Sequence, residues 1–235
     1  MPAWGMHLKT AKKLNEYLKL NEYKFYFGNV MVDAERHVVH DLSVVVSYDD
    51  SHYAKLQNVN GIMIKLPDYE RFIEENYQNL SNPVVLGYLT HLMTDFYYNR
   101  LTFGQKFLSD GMGKSIGIKL NNGTDKICDK ETIRILKQTD FDTYSRELYS
   151  KEDVLIDENK KDDILKACKD IKNIKYNGED VLKIINFVNN IKNNYDKRKD
   201  EKICYKVFTK EEFDYNFNKC VEFILDNLKS HKIIE

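Results

Sequence analysis

The chain has 235 residues, a length that fits one large domain, or one domain with a helical extension. Its 42% hydrophobic and 31% charged residues are typical of a soluble globular protein rather than a disordered one. The net charge of −1, from 36 basic and 37 acidic residues, argues against binding to nucleic acid or anionic membranes that is driven by overall charge.

The compartment is predicted from what the sequence lacks. No apolar run approaches the ~20 residues that a membrane helix needs. The opening stretch MPAWGMHLKTAKK has no apolar signal-peptide core. The four cysteines are widely spaced with no CxxC pair, which indicates reduced thiols rather than a zinc knuckle or a disulfide framework. We therefore expect a cytoplasmic protein without a transmembrane segment.

The first predicted element is a helix that carries His7. His7, Ala11, Leu14 and Leu18 follow the spacing of one helical face, so His7 is expected to point inward with the apolar side chains. The next apolar run, FYFGNVMVD, ends at Asp33. Taken alone, VMVD and the later DLSVVVSY look more like strands than helices.

A helix over residues 68–80 is followed by a second one that begins at Asn82 and Pro83, a cap and a first-turn proline. Within it, GYLTHLMTDFYYN places His91 and Asp95 four residues apart, on one helical face. Gly87, a turn earlier, is expected to leave room beside them. An imidazole and a carboxylate at this spacing suit a divalent cation such as zinc. The alternative is a His–Asp hydrogen bond inside a helical core.

Residues 101–127 are rich in Gly and Asn and predict a long loop. Their GMGKS does not make a phosphate loop, because Leu108 stands where the first glycine is required. Further helices are predicted over residues 130–150, 162–175 and 179–195, and from Thr209, where Glu212 completes a capping box.

The histidines are distributed unevenly. Five of the six lie in the first hundred residues, and only His231, which we expect to be solvated, follows Asp95. The chain is therefore predicted to form a single helical domain over residues 1–235. Its chemistry is expected in residues 1–100, and residues 130–235 are expected to be a helical remainder.

Four motifs, in this order, resemble the zinc-dependent phospholipase C family, which has many small bacterial members. They are MPAWGMHLKTAKKL, FYFGNVMVD, SHY and NPVVLGYLTHLMTD, and together they cover roughly residues 1–100. The resemblance implies an all-α fold: a helical bundle of the phospholipase C and zinc nuclease type. Irregular loops are then expected at about residues 30–50 and 101–127, so that the strand-like pattern near Asp33 is overridden.

The resemblance also implies a ligand set. Carried over by position, Asp33, His52, His91 and Asp95 look like the four ligands of one zinc ion. His7 looks like a ligand of a neighbouring ion, with Asp95 bridging the two. Other divalent metals remain open. The inward-facing positions of His7, His91 and Asp95 agree with this set, because ionisable groups are rarely buried unless they are paired or metal-bound.

The chain departs from the family pattern at two places. Secreted members bind metal through an N-terminal Trp, whereas Trp4 is internal and is expected to be a buried aromatic. They also hold a third ion through later histidines, which this chain lacks between residues 92 and 230. Asp140 and Asp142 are expected to cap or solvate a helix. His37 and His40 are expected to be exposed loop residues. A role as metal ligand stays open for these two histidines and for Asp140 and Asp142.

The activity that the resemblance implies is phospholipase C-like hydrolysis of a phosphodiester by metal-activated water. Asp33 is the candidate general base as well as a ligand, and the substrate is expected to be a small phosphodiester or a phospholipid. Tyr48 and the aromatics of residues 96–98 are expected to be core or surface residues rather than a substrate entrance. Two alternatives stay open: a zinc nuclease or nucleotidase of the same fold, and a non-catalytic metal-binding protein. No strong nucleic-acid signal supports the first of these.

Overall fold

The computed structural model describes residues 2–34, 39–44, 46–149, 154–172, 174–197 and 204–235. Helices dominate these residues. In chain order the α-helices are α1 (Trp4–Leu18), α2 (Glu22–Met31), α3 (Tyr48–Ser51), α4 (Tyr69–Asn76), α5 (Pro83–Gln105), α6 (Lys130–Tyr149), α7 (Lys161–Cys168), α8 (Gly178–Asp196) and α9 (Lys210–Ser230). Short 3₁₀ helices cover Tyr77–Asn79 and Glu158–Lys160.

Five short strands form two small antiparallel sheets. β1 (Lys55–Val59) and β2 (Ile62–Leu66) make a hairpin. β3 (Phe107–Ser109), β4 (Ser115–Lys119) and β5 (Asp125–Ile127) make a three-stranded sheet in that order. The expected all-α class is therefore correct for most of the described chain and wrong for these two sheets.

The prediction of an irregular loop over residues 101–127 is wrong. α5 continues to Gln105, and the three-stranded sheet follows. Strands pair here because Gly117 lets the neighbouring strand approach: a Cβ on it would lie 2.4 Å from the Lys126 carbonyl oxygen. Ile118 is fully buried, and its strand packs against α6. Glycine and asparagine in this stretch suggested a loop, whereas consecutive strands pair and pack against α6, the helix that follows them.

The irregular stretch expected at about residues 30–50 is correct only in its middle. α2 extends through the first two residues of VMVD and ends at Met31, and α3 begins at Tyr48. Between them, the described residues 32–34, 39–44 and 46–47 contain no strand.

Local start signals identify the helices well. The Asn82 side chain accepts a hydrogen bond from the Val84 N–H at 3.0 Å, with Pro83 in the first turn. The capping box predicted for α9 is confirmed: Thr209 accepts from the Glu212 N–H at 3.1 Å, and the Glu212 carboxylate accepts from the Thr209 N–H at 2.8 Å.

The predicted helix over residues 162–175 is shorter than expected, since α7 ends at Cys168. The Asn82 side chain donates to the Ala167 carbonyl at 2.9 Å and to the Asp170 carboxylate at 2.8 Å. A carbonyl of the last turn thus gains its partner from another element, and the helix does not have to continue.

Two glycines allow α2 and α5 to pack with their backbones almost in contact. A Cβ on Gly28 would lie 2.1 Å from the Val84 carbonyl oxygen, and one on Gly87 would lie 2.2 Å from the Phe25 carbonyl oxygen. Gly87 therefore makes room for the backbone of α2, a different role from the expected space beside the His91–Asp95 pair.

Both halves of the chain contribute to one cluster of buried apolar side chains, from Met6 to Leu228. α1 packs against α2 and α5 and also against α6 and α9. Among the described helices, none has a stretch of the length and apolar character needed to cross a membrane.

Candidate metal centre

α1 carries His7 into the interior, as the apolar spacing predicts. His7 is fully buried between Met6 and Leu8, which are fully buried too, and Ala11 on its own helical face is likewise buried. The expectation that His7 points inward is confirmed.

α5 carries His91 and Asp95, and both are fully buried. The Nδ1 atom of His91 lies 2.7 Å from the backbone carbonyl oxygen of Asn29 on α2. A carbonyl only accepts, so Nδ1 carries the proton. Nε2, the other ring nitrogen, therefore keeps a free lone pair that could bind a metal. The Asn29 side chain donates to the Thr90 hydroxyl at 2.7 Å and to the Gly87 carbonyl at 3.2 Å, which ties α2 to α5 beside the imidazole.

Asp33 and His52 come from irregular segments that follow short helices. Asp33 lies in the turn after α2, where its N–H donates to the Val30 carbonyl at 3.3 Å. His52 follows α3, and a hydrogen bond of 2.9 Å joins its Nδ1 atom to the Ser51 hydroxyl. The Tyr88 hydroxyl of α5 donates to the Ser51 carbonyl and attaches this turn to the core.

The five predicted ligands meet in one place. His52 Nε2 lies 3.2 Å from Asp33 Oδ1 and 3.5 Å from Asp95 Oδ2, and His91 Nε2 lies 3.9 Å from Asp33 Oδ2. His7 Nε2 lies 3.3 Å from Asp95 Oδ1. The two oxygens of Asp95 therefore face different histidines, an arrangement that suits a bridging carboxylate.

Several polar atoms of this cluster are buried without a hydrogen-bond partner in the described part of the chain. They are both ring nitrogens of His7, the Nε2 atoms of His52 and His91, and both carboxylate oxygens of Asp95. Buried polar groups are normally paired. A cation placed among these atoms would give them the partner that they lack, so the donor set fits a divalent metal.

Two overlapping sets of three have ligand atoms within 4.8 Å of one another: His7, His91 and Asp95, and Asp33, His52 and His91. Both sets consist of buried side chains, and His91 belongs to both. The mixture of imidazole nitrogen and carboxylate oxygen suits zinc and related divalent ions.

The protonation states of His91, Asp33 and Asp95 suit metal ligands, whereas that of His52 is shifted toward the protonated form in the metal-free protein. Burial and the adjacent His7 lower the pKa of His91 to about 3, so its ring is neutral near pH 7. Burial alone would raise the pKa of Asp33, but interaction with His52 and His91 outweighs it and lowers this pKa to about 2. The pKa of Asp95 is also lowered, because His52 and His7 outweigh the effect of burial. For His52, burial lowers the pKa, but Asp33 and Asp95 together raise it above its usual value.

Access to the cluster is narrow. The side chains of His7, His52, His91 and Asp95 are at most 1% exposed, and that of Asp33 is 9% exposed. Tyr48 covers His52, with ring centroids 4.2 Å apart. Of the five candidate ligands, Asp33 is thus the one through which the cluster reaches the surface.

Other histidines and Trp4 lie apart from the cluster or outside the described residues. His40 is exposed, as expected, and His37 lies outside the described residues. His231, expected to be solvated, is partly exposed, with Nε2 2.6 Å from a Glu70 carboxylate oxygen. Trp4 is partly buried and packs edge-on against Phe187, with ring centroids 5.2 Å apart.

Asp140 and Asp142 have structural contacts elsewhere. Asp140 is fully buried and accepts backbone N–H groups of residues 206–208 at 2.6–3.1 Å, so it caps the segment before α9 rather than its own helix. Asp142 accepts from the Gln138 side chain at 3.0 Å.

Sequence reasoning missed the residues that hold the imidazoles. Asn29 and Ser51 contact the Nδ1 atoms of His91 and His52. Asn29 is a polar residue inside the apolar run FYFGNVMVD, a signal that was visible in the sequence. The role of its carbonyl depends only on the close packing of α2 on α5.

Comparisons of the chain with protein-family models, with curated proteins and with solved structures return no match.

Proposed function

We propose that this chain is a zinc-dependent hydrolase of phosphodiester bonds, similar to the zinc-dependent phospholipases C. The observation that carries the proposal is the buried cluster of three imidazoles and two carboxylates, contributed by four separate segments, with unpartnered nitrogen and oxygen atoms at its centre. Its residues are those that the resemblance to the phospholipase C family implies.

Divalent ions in such a cluster would supply Lewis-acid activation of water and neutralisation of charge on a phosphoryl group. The chain itself supplies orientation: the Asn29 carbonyl and the Ser51 hydroxyl hold two of the imidazoles by Nδ1 and aim their Nε2 atoms at the carboxylates. The carbonyl fixes the tautomer of His91, because it can only accept, and both contacts fix the orientation of a ring, as outer contacts do for metal-binding histidines.

Asp33 is proposed as the residue that meets water and substrate, because it alone among the five reaches the surface. Its pKa of about 2 keeps it ionised. A group this acidic is a good ligand and a weak proton acceptor, since general bases work best with a pKa near the working pH. The ligand role is therefore better supported than the role of general base.

A second candidate function, a structural metal centre without catalysis, is favoured by the burial of the site. Structural sites are closed around their ion, whereas catalytic sites keep a position open to substrate. Four of the five side chains are at most 1% exposed, which is the closed arrangement.

The deciding experiment is elemental analysis of the purified protein, comparing wild type with Asp95→Ala. We expect at least one zinc ion per chain in wild type and binding weakened by at least about 10–100-fold in the variant, since even outer-shell changes have effects of this size. The matched control is Asp226→Ala, because Asp226 is an exposed carboxylate on α9.

Wild-type protein without bound metal would contradict the proposal. Asp95→Ala leaves a buried space that could unfold the protein. The variant Asp95→Asn, which keeps the volume of the side chain, is therefore measured as well, and circular dichroism spectra show whether either variant has lost its fold. Turnover of an aryl phosphodiester, phosphatidylcholine and single-stranded DNA then separates a phospholipase-like enzyme from a nuclease. Bound metal with no turnover on any of the three would support the structural centre.

A further inference from the structure

The two sets of candidate ligands cannot both be complete, because they share His91. An imidazole nitrogen has one lone pair for one ion, and His91 Nδ1 already donates to the Asn29 carbonyl at 2.7 Å. Only Nε2 is left, and both sets need it. An ion that takes His91 together with Asp33 and His52 leaves the neighbouring position with His7 and Asp95 alone.

The position with His52 and His91 is the better prepared of the two. Both of its imidazoles are held through Nδ1, by Ser51 and by Asn29, and Asp95 Oδ2 lies 3.5 Å from His52 Nε2. Neither ring nitrogen of His7 has a hydrogen-bond partner among the described residues. Loss of outer contacts of this kind typically weakens metal binding about 10–100-fold.

The charge of the cluster also favours one ion over two. Its two carboxylates, Asp33 and Asp95, carry a charge of −2 when ionised. One divalent ion balances that charge. A second would leave two uncompensated positive charges in a buried place, where unbalanced charge is costly. A phosphodiester anion that arrives with the second ion brings one negative charge, which halves this excess and lowers the cost.

We propose that the centre fills in two steps: one ion is held tightly by Asp33, His52, His91 and Asp95, and a second is held weakly by His7 and Asp95 and binds together with a phosphodiester anion. The inference rests on the proposed metal centre and adds to it that the second ion and an anionic substrate stabilise each other. By linkage, each raises the affinity of the other by the same factor.

The test is a titration of metal-free full-length protein with zinc, followed by native mass spectrometry or equilibrium dialysis. It is run in perchlorate, a weakly coordinating anion, and at equal ionic strength with dimethyl phosphate, a simple phosphodiester anion. For wild type we expect a tight first step and a second step at least about 10–100-fold weaker. Dimethyl phosphate should strengthen the second step and leave the first unchanged.

Variants assign the steps to residues. His7→Ala should abolish the second step and retain a tight first step, whereas His52→Ala should weaken the first. His40→Ala is the matched control, since His40 is an exposed histidine outside the cluster, and should leave both steps unchanged. These readouts need no turnover.

Three results would overturn the inference: two steps of equal affinity, a second step that survives His7→Ala, or a second step that does not respond to dimethyl phosphate. Its failure can be told from that of the proposed function. Two equal ions with phosphodiester turnover would remove the inference alone, and stepwise binding without turnover would remove the hydrolase alone. Binding of no zinc would remove both.

Discussion

Among single residues, His91 is held in the state that its proposed role as a metal ligand requires. Its Nδ1 atom donates to the Asn29 carbonyl, and burial together with His7 lowers its pKa to about 3. The ring is therefore neutral, as metal coordination requires. The cost is borne by the metal-free protein, which holds an imidazole that cannot easily take up a proton.

This cost predicts a pH dependence for the metal-free protein. Between pH 6.5, the ordinary value for histidine, and about 3, the unfolded chain binds a proton that folded His91 does not, so stability falls as the pH falls. His52 acts in the opposite sense: its pKa is raised, so its contribution is present below about 6.5 and is lost as the pH rises through the folded value.

The measurement is the melting temperature of metal-free wild type and His91→Gln from about pH 4 to 8. Wild type should lose several degrees on the acidic side, and the variant should show a shallower acidic slope. Identical slopes for the two proteins would show that His91 is not held neutral.

Asp33 allows the roles of ligand and base to be separated. Asp33→Asn keeps the shape and an oxygen ligand but removes the charge. If Asp33 is the general base, turnover of an aryl phosphodiester should fall about 10²–10⁴-fold while much of the metal is retained. If it is a ligand only, metal content and turnover should fall together. If Asp33→Asn keeps both its metal content and its turnover rate, Asp33 is neither a ligand nor the general base.

At the scale of secondary-structure elements, the close packing of α2 on α5 positions three parts of the site. It brings the Asn29 carbonyl to His91, and Asp33 follows directly in the turn after α2. Gly28 and Gly87 permit this approach, since a Cβ on either would lie within 2.2 Å of a backbone carbonyl oxygen of the partner helix.

Gly87→Ala tests this packing. The backbone atoms that its Cβ would meet cannot rotate away, so the helices must separate, and we expect destabilisation of about 1–3 kcal/mol or more together with reduced zinc content. Gly104→Ala is the control on the same helix, because its Cβ would meet only a Val59 methyl at 3.8 Å. Alanine there should be neutral or stabilise by about 0.5–1 kcal/mol.

Chemical denaturation gives the free energy of unfolding for both variants, and elemental analysis gives their zinc content. Equal stability and equal zinc content in the two variants would show that the α2–α5 approach does not matter for the centre.

At the scale of the whole molecule, the cluster connects segments that are far apart in the chain, from His7 to Asp95. A bound ion would join α1, the turn after α2, the turn after α3 and α5. Binding to the folded state alone raises stability by mass action, by about 2.7 kcal/mol at a free zinc concentration one hundred times the Kd.

We therefore expect zinc to raise the melting temperature of the metal-free wild type by about 5–10 °C, given that about 1 kcal/mol corresponds to 2–4 °C in a protein of this size. Asp95→Asn should show little shift under the same conditions. The substitution removes the negative charge shared by the two oxygens that face the histidines and replaces one of these oxygens by an NH₂ group. An equal shift in the variant would place the bound zinc elsewhere.

Features that depend on neighbours within one or two helical turns could be predicted from local sequence patterns. The Asn82–Pro83 start of α5 and the Thr209–Glu212 capping box were predicted and are present. So was the inward position of His7, because apolar spacing fixes which face of a helix is buried.

Contacts between different elements depend on how those elements pack, and local sequence patterns did not predict them. Even the sheet within the predicted loop at 101–127, although its strands are consecutive, has its buried face covered by α6. The Asn29 carbonyl meets His91 because two glycines bring α2 against α5. That Asp95 turns one oxygen to His7 and the other to His52 follows from the packing of several segments around one point, and no local pattern encodes such long-range contacts.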